Sequence, residues 1–270
     1  MAETPTPGLS PHGYIAIAEI VVYSIALVIS VFNCLHHGFK RQQGWAYLSV
    51  FCIFRIVASA LVIVVEESSD PSTGTIMAEI TVSNIALTPL LLAALGFLTT
   101  SAGLMFNDTI PAILTHMLRI VRLALTTAVV LGVVGAVKLS NYSTYSTGHT
   151  LSRVSILLIT AVFVILTFLS LYFLGFASPY GQNNILTIAV TIALPFLCVR
   201  IAYSLLYAFS SSTANKYSTF TGDWKIYLGM DVVMEFVVLA VLTTTGLLLQ
   251  KFSGMAKTRH VGSTSAYEMA

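Results

Sequence analysis

Seven long apolar stretches, separated by short polar connections, organise the chain. They run over about residues 13–36, 45–65, 75–100, 154–174, 185–209 and 224–249, with a further one, fourth in order, entered through His116, Arg119 and Arg122 and ending near Lys138. Each is close to or above the roughly 17–25 residues that a helix needs to cross a hydrocarbon core. The connections carry breakers and charge. His37-Gly38-Phe39-Lys40-Arg41 is a tight basic loop, Glu66-Glu67-Ser68-Ser69-Asp70-Pro71 an acidic turn, and residues 140–153 a Ser/Thr/Tyr-rich loop. The pattern predicts an all-α membrane protein, a bundle of seven transmembrane helices. A short tail (residues 1–12) precedes the transmembrane domain (residues 13–250), and a basic tail (residues 251–270) follows it.

Composition narrows the class further. Of 270 residues, 56% are hydrophobic and 9% charged, with a mean hydropathy of +0.87. Soluble domains carry about 25% charged residues, so the partner implied is the lipid bilayer. A net charge of +2, scattered along the chain, gives no footprint for nucleic acid. Cys34, Cys52 and Cys198 all lie in apolar stretches, which argues against a disulfide framework. The first twelve residues hold no basic group, unlike the start of a cleaved signal peptide.

Lys and Arg near the span ends predict orientation. One side collects Lys40, Arg41, Arg119, Arg122, Lys251, Lys257 and Arg259; the other collects Lys138, Arg153, Lys216 and Lys225. This bias expects the C-terminus in the cytosol and the N-terminus outside. The sequon Asn141-Tyr142-Ser143 then falls outside, making Asn141 a glycosylation acceptor, while Asn107-Asp108-Thr109 falls inside and stays bare. Trp45 and Trp224, each at a span boundary, suit the interfacial belt.

The candidate chemistry lies within the spans. Glu19, Arg55, Arg200, Asp231 and Glu235 interrupt apolar surroundings, at expected depths of roughly 9 to 16 Å from the outer end of each helix at 1.5 Å per residue. Asn84 falls in the same layer. Asp231 and Glu235 are four residues apart, one above the other on a helical face. Charged groups at such depth are expensive and normally face the bundle interior with partners. The simplest pairing joins Arg200 to Asp231 or Glu235, and Arg55 to Glu19. Such a network holds helices in register, and its surplus acid offers a ligand, ion or proton site. Pro89 predicts a kink in the third span, and Pro195 interrupts the sixth. Ala124, Ala128, Gly132 and Ala136 form a small-residue stripe for close helix approach.

Other chemistry is thin. His36, His37 and His116 form no defined metal site, and no motif of a hydrolase, zinc protease or phosphate-binding loop occurs. Retinal needs a lysine within the last span, whereas Lys225 stands at its edge. No cofactor is expected. The third span ends in Thr99-Thr100-Ser101-Ala102 and the seventh in Thr243-Thr244-Thr245-Gly246, without the triplets of G-protein-coupled receptors.

Several motifs carry a family resemblance. They are Ala18-Glu19-Ile20-Val21-Val22-Tyr23, His37-Gly38-Phe39 with Arg41 and Gly44-Trp45, Phe54-Arg55-Ile56-Val57, and Asn84-Ile85-Ala86-Leu87-Thr88-Pro89-Leu90 with Leu95-Gly96. Ala193-Leu194-Pro195-Phe196, Val199-Arg200 and Met234-Glu235-Phe236 complete the set. On these the chain resembles an uncharacterised fungal family of seven-span integral membrane proteins known only as a domain of unknown function. The resemblance covers about residues 13–250 and includes Glu19, Arg55, Asn84, Arg200 and Glu235, but does not place Asp231. It implies a multi-pass protein of the plasma or internal membranes and supplies no activity. The expectation for function is non-enzymatic: receptor-like binding of a small-molecule ligand in an outer-half polar pocket. The alternative is a small-solute or proton-coupled transporter on a three-plus-one-plus-three helix repeat. It rests on the echo of Phe54-Arg55-Ile56-Val57-Ala58-Ser59 in Val199-Arg200-Ile201-Ala202-Tyr203-Ser204.

Overall fold

The apolar stretches fold as seven helices in a computed structural model that describes residues 10–37, 43–68, 72–105, 112–139, 142–176, 185–210 and 223–248. In chain order they are α1 (Pro11–His37), α2 (Gln43–Glu67), α3 (Thr73–Met105), α4 (Ala112–Leu139), α5 (Tyr145–Phe176), α6 (Ile185–Phe209) and α7 (Trp224–Leu248). Every one is long and apolar enough to cross a bilayer, with mean hydropathy between 1.8 and 2.8 over its most apolar window. The protein is a multi-pass membrane protein with an all-α fold. The two terminal tails, the basic loop at Lys40 and Arg41, and both sequons, Asn107 and Asn141, lie outside the described residues, so the expected orientation and glycosylation have no structural counterpart here.

The bundle turns its intramembrane charges inward, into a largely apolar core, and its outer surface is apolar too. Val28, Ile113 and Phe168 face outward, whereas Glu19, Arg55, Arg200, Asp231 and Glu235 are each 0–2% exposed. Lipid solvates apolar side chains as well as a protein core does, so helix association depends on close packing and interhelical hydrogen bonds. α3 is the central rod: two-thirds of its apolar window is buried, against about a fifth for α4. It packs against α2, α4, α5 and α6. Ser101 and Thr187 join α3 to α6 through hydroxyls 2.6 Å apart, and Ser170 and Thr191 join α5 to α6 at 2.8 Å.

The small-residue stripe of α4 meets α5. Ser155 Oγ donates to the Ala128 carbonyl at 2.7 Å. A Cβ on Gly148 would overlap the α4 backbone at Gly135, Lys138 and Leu139, so glycine there lets the two backbones touch. That seat corrects the loop expected over residues 140–153. Tyr142–Thr144 form a 3₁₀ turn and α5 begins at Tyr145. Thr144 Oγ1 donates to the Lys138 carbonyl at 2.9 Å, and Arg153 Nε donates to the Ala208 carbonyl at 3.1 Å. These side-chain anchors make helix the better solution for a segment whose polar composition reads as loop. Both prolines stay inside helices, Pro89 in α3 and Pro195 in α6.

Trp45 departs from the expected interfacial role. It stands near the start of α2 yet is only 1% exposed, with its ring edge-on to Phe97 at 4.6 Å between centroids. Gly246 of α7 lies against the same indole, where a Cβ would overlap the ring. Trp224 does sit on the outside, with the Lys225 ammonium 5.6 Å from its ring centre.

Gly246→Ala is expected to lower the thermal midpoint of the purified protein, by an overpacking cost of about 1–3 kcal/mol. Gly175→Ala, at an α5 position with nothing within 4 Å of the new methyl, should leave it unchanged or raise it slightly through helix propensity. Detergent-phase thermal unfolding measures both; equal loss in the two variants would refute the Trp45 contact as the cause.

Candidate functional site

Two helices deliver the cations and a third the anions. On α2 and α6 an arginine is followed four residues later by a serine, Arg55 with Ser59 and Arg200 with Ser204, which places each pair on one helical face. On α7 the backbone widens into a π turn over Leu228–Val232, closed by the Val233 N–H bonding to the Leu228 carbonyl. Such one-residue expansions rotate the upstream helix relative to the downstream part and recur at functional sites. Here the turn contains Asp231, ends just before Glu235, and lets Tyr227 one turn upstream face inward as well.

The four groups close into a ring. Asp231 Oδ1 lies 2.7 Å from Arg200 Nε, and Asp231 Oδ2 lies 2.7 Å from Arg55 Nη2. Glu235 Oε1 lies 2.6 Å from Arg200 Nε, and Glu235 Oε2 pairs with Arg55 Nε. Each carboxylate thus gives one oxygen to each guanidinium. Arginine suits this because its planar fork presents several N–H groups and keeps its charge when buried. The remaining donors are used nearby: Arg55 Nη1 donates to Ser83 Oγ of α3 at 3.3 Å, and Arg200 Nη1 to Ser204 Oγ at 2.5 Å. Tyr23 of α1 donates to Glu235 Oε2 at 3.3 Å, with its ring centre 5.8 Å from the Arg55 guanidinium.

Glu19 stands beside the ring rather than within it. Its Oε1 is 3.7 Å from Arg55 Nη2, while Ser59 Oγ donates to its Oε2 at 2.5 Å and Tyr227 to its Oε1 at 3.4 Å. The expected Arg55–Glu19 pairing is therefore secondary, and the nearest carboxylates to Arg55 belong to α7. Because α7 presents both acids to α2 and α6 together, each arginine reaches the same two carboxylates. Asn84 joins neither arginine. Its Nδ2 donates to the Ile80 carbonyl of its own helix at 2.8 Å, and the residue lines the space beside the ring.

A larger space lies beside it. A crevice of about 370 Å³ runs between α3, α4, α5 and α6. Asn84, Thr88, His149, Arg153, Ser204 and Tyr207 supply its polar wall, and Ile80, Ile85, Ile156 and Ile159 its apolar one. Thr88 Oγ1 is buried there without a hydrogen-bond partner. Ile80, Asn84, Ser204 and Tyr207 also line a much smaller cavity that touches Arg200, Ser83, Tyr203 and Asp231. The two spaces share these four residues as a common wall, so the crevice lies one side-chain layer from the charged ring.

Several of these side chains escape a search confined to charged residues. Ser59 and Ser204 show in the sequence only as the spacing shared by the two arginine segments. Ser83, Tyr23 and Tyr227 are recognisable only through their contacts. Glu79, near the start of α3, is 1% exposed and belongs to the same layer. The central place of α3 in the bundle buries it. His116 lies on the exposed face of α4, and among the described residues no group of three His, Cys, Asp or Glu side chains converges to hold a metal.

A family model described as a domain of unknown function (DUF7702) matches residues 9–252. No curated protein and no solved structure matches the chain.

Arg200→Leu should strand Asp231 and Glu235 against a single guanidinium and destabilise the bundle by about 3–5 kcal/mol. Arg200→Leu with Asp231→Leu keeps the ring's charges paired one to one, so its folded yield and thermal midpoint should exceed those of the single variant. Fluorescence-detected size-exclusion chromatography and thermal unfolding of both variants make the comparison. A double variant no better than the single one would contradict the closed ring.

Proposed function

The chain belongs to this family of unknown function, and we propose that it acts as a non-enzymatic small-molecule binder, receptor-like in that occupancy of the crevice is read by the charged ring. One observation carries the reading: Asn84, Ser204 and Tyr207 line both the crevice and the small cavity against Arg200 and Asp231. The crevice volume falls at the low end of the range typical of ligand pockets. Its mixed wall favours a compact molecule with an apolar body and a few hydrogen-bonding groups. Thr88 Oγ1, with unused hydrogen-bonding capacity, is a contact such a molecule would satisfy. A molecule reaching Ser204 competes with the hydrogen bond from Arg200 Nη1. It thereby acts on a group whose other bonds hold α6 to α7.

A second reading, transport of a small solute, draws on the same connection between an open crevice and a buried charged layer. The Arg–Ser echo on α2 and α6 adds to it, because both copies of the motif serve the one ring. In that reading the ring is the element that rearranges as the solute passes.

Thermal-shift screening of the detergent-purified protein against small polar and part-apolar solutes tests the binding reading. At least one chemical class is expected to raise the thermal midpoint. Thr81→Leu and Val129→Phe, which fill the crevice walls without touching the ring, should fold and lose that shift. Shifts that persist in both variants, or none in the wild type, would refute the crevice as the site. Accumulation of a binding compound in proteoliposomes would favour transport; binding without accumulation would favour the receptor-like reading.

A further inference from the structure

We infer that Glu79 is the seat of a bound monovalent cation, a proton or an alkali-metal ion, held beside the charged ring. The ring itself is balanced, with two arginines and two carboxylates exchanging all four carboxylate oxygens. Glu19 lies outside that balance, yet both its oxygens have hydrogen-bond donors, Ser59 and Tyr227, and Arg55 stands 3.7 Å away. Glu79 is different. It is 1% exposed, and its Oε2 is buried with no hydrogen-bond partner. A carboxylate oxygen buried without a donor has given up its hydration uncompensated, a costly state for a charge. A small cation on the carboxylate removes that cost.

The surroundings suit a cation of single charge. The charged groups whose fields reach Glu79 are Arg55 of α2, Asp231 of α7 and Glu19 of α1. The phenols of Tyr203 and Tyr207 on α6 and Tyr227 on α7 are in the same electrostatic neighbourhood. From α5, Tyr145 stands beyond Tyr207. Carboxylate oxygens are hard donors, matched to a proton or an alkali ion rather than to a soft metal. No set of three acidic, His or Cys ligands converges among the described residues, which disfavours a divalent ion. Ile80, the next residue on α3, and Tyr207 line both the crevice and the inner cavity. This inference does not depend on the crevice holding an organic molecule.

Two measurements on purified wild-type protein and Glu79→Gln test it. Infrared difference spectra taken across a pH titration report a proton, through the carbonyl stretch of a neutral carboxylic acid that shifts in heavy water. Thermal unfolding in sodium, potassium or choline chloride at constant ionic strength reports an alkali ion. Either the acid band or a sodium- or potassium-dependent rise in thermal midpoint is expected in the wild type, and is expected to be lost in Glu79→Gln. The band identifies the cation as a proton; the salt-specific rise identifies it as an alkali ion. Neither signal in the wild type, or signals unchanged in Glu79→Gln, would overturn the assignment. Should Glu79→Gln fail to fold, Glu79→Asp serves instead, with a displaced band or altered ion dependence supporting Glu79 and an identical response refuting it.

Discussion

The exchange of four carboxylate oxygens between two arginines is the constraint on which the bundle's polar half depends. Asp231 and Glu235 each bridge Arg55 and Arg200, so α2, α6 and α7 are tied at one point, and Tyr23 and Ser83 attach α1 and α3 to it. In water such pairs contribute little, because hydration competes with them. Inside a membrane bundle hydration is absent, and each charge is tolerable only while its partners remain in place. The ring therefore specifies an arrangement as much as it stabilises one. Any displacement of α7 relative to α2 or α6 uncovers charge, which makes the arrangement discrete rather than continuously deformable.

The rest of the packing places the crevice beside that ring. α4 and α5 meet backbone to backbone at Gly135 and Gly148. Ala128, Gly132 and Ala136 of α4 face the crevice as well as the contact, so the same small side chains that bring the helices together leave room between them. Farther along, Trp45, Phe51, Phe97 and Leu90 fill the bundle, with uncharged hydroxyl pairs such as Ser101–Thr187 among them. One half of the bundle is thus closely packed and free of buried charge among the described residues, and the other combines a charged layer with an opening. That asymmetry underlies the reading of a binding site whose occupancy is sensed by the ring.

Much of the fold was legible from the sequence because the bilayer imposes a length and a composition on every span. The helix bounds of α6 coincide with the expected ones, and α1, α2 and α7 differ by one or two residues at either end. α4 starts at Ala112, ahead of the entry expected at His116 to Arg122, and α5 starts at Tyr145 for a local reason: Gly148 and Thr144 anchor a polar segment on α4, and nothing in that segment's own composition shows it. Trp45 was misread for a similar reason. Position along a span separates interface from interior by depth but says nothing about which helix face meets a neighbour. Gly246, two hundred residues away, decides that the indole is enclosed.

For the charged layer the division is equally physical. That Glu19, Arg55, Arg200, Asp231 and Glu235 must find one another follows from sequence alone, since no other state of a charge at that depth is affordable. Which arginine meets which acid was left to the packing of α7 between its partners, assisted by a π turn whose extra residue no periodicity announces. The same holds for Glu79: its chemistry is plain in the sequence, but only the central position of α3 turns a carboxylate near a helix start into a buried one without a partner. Sequence determined that this is a seven-helix membrane protein with charges turned inward, because transfer energies depend on residue type. Tertiary structure decided the pairings, the crevice and the odd acid, because those depend on helix rotation and on contacts between residues far apart in the chain.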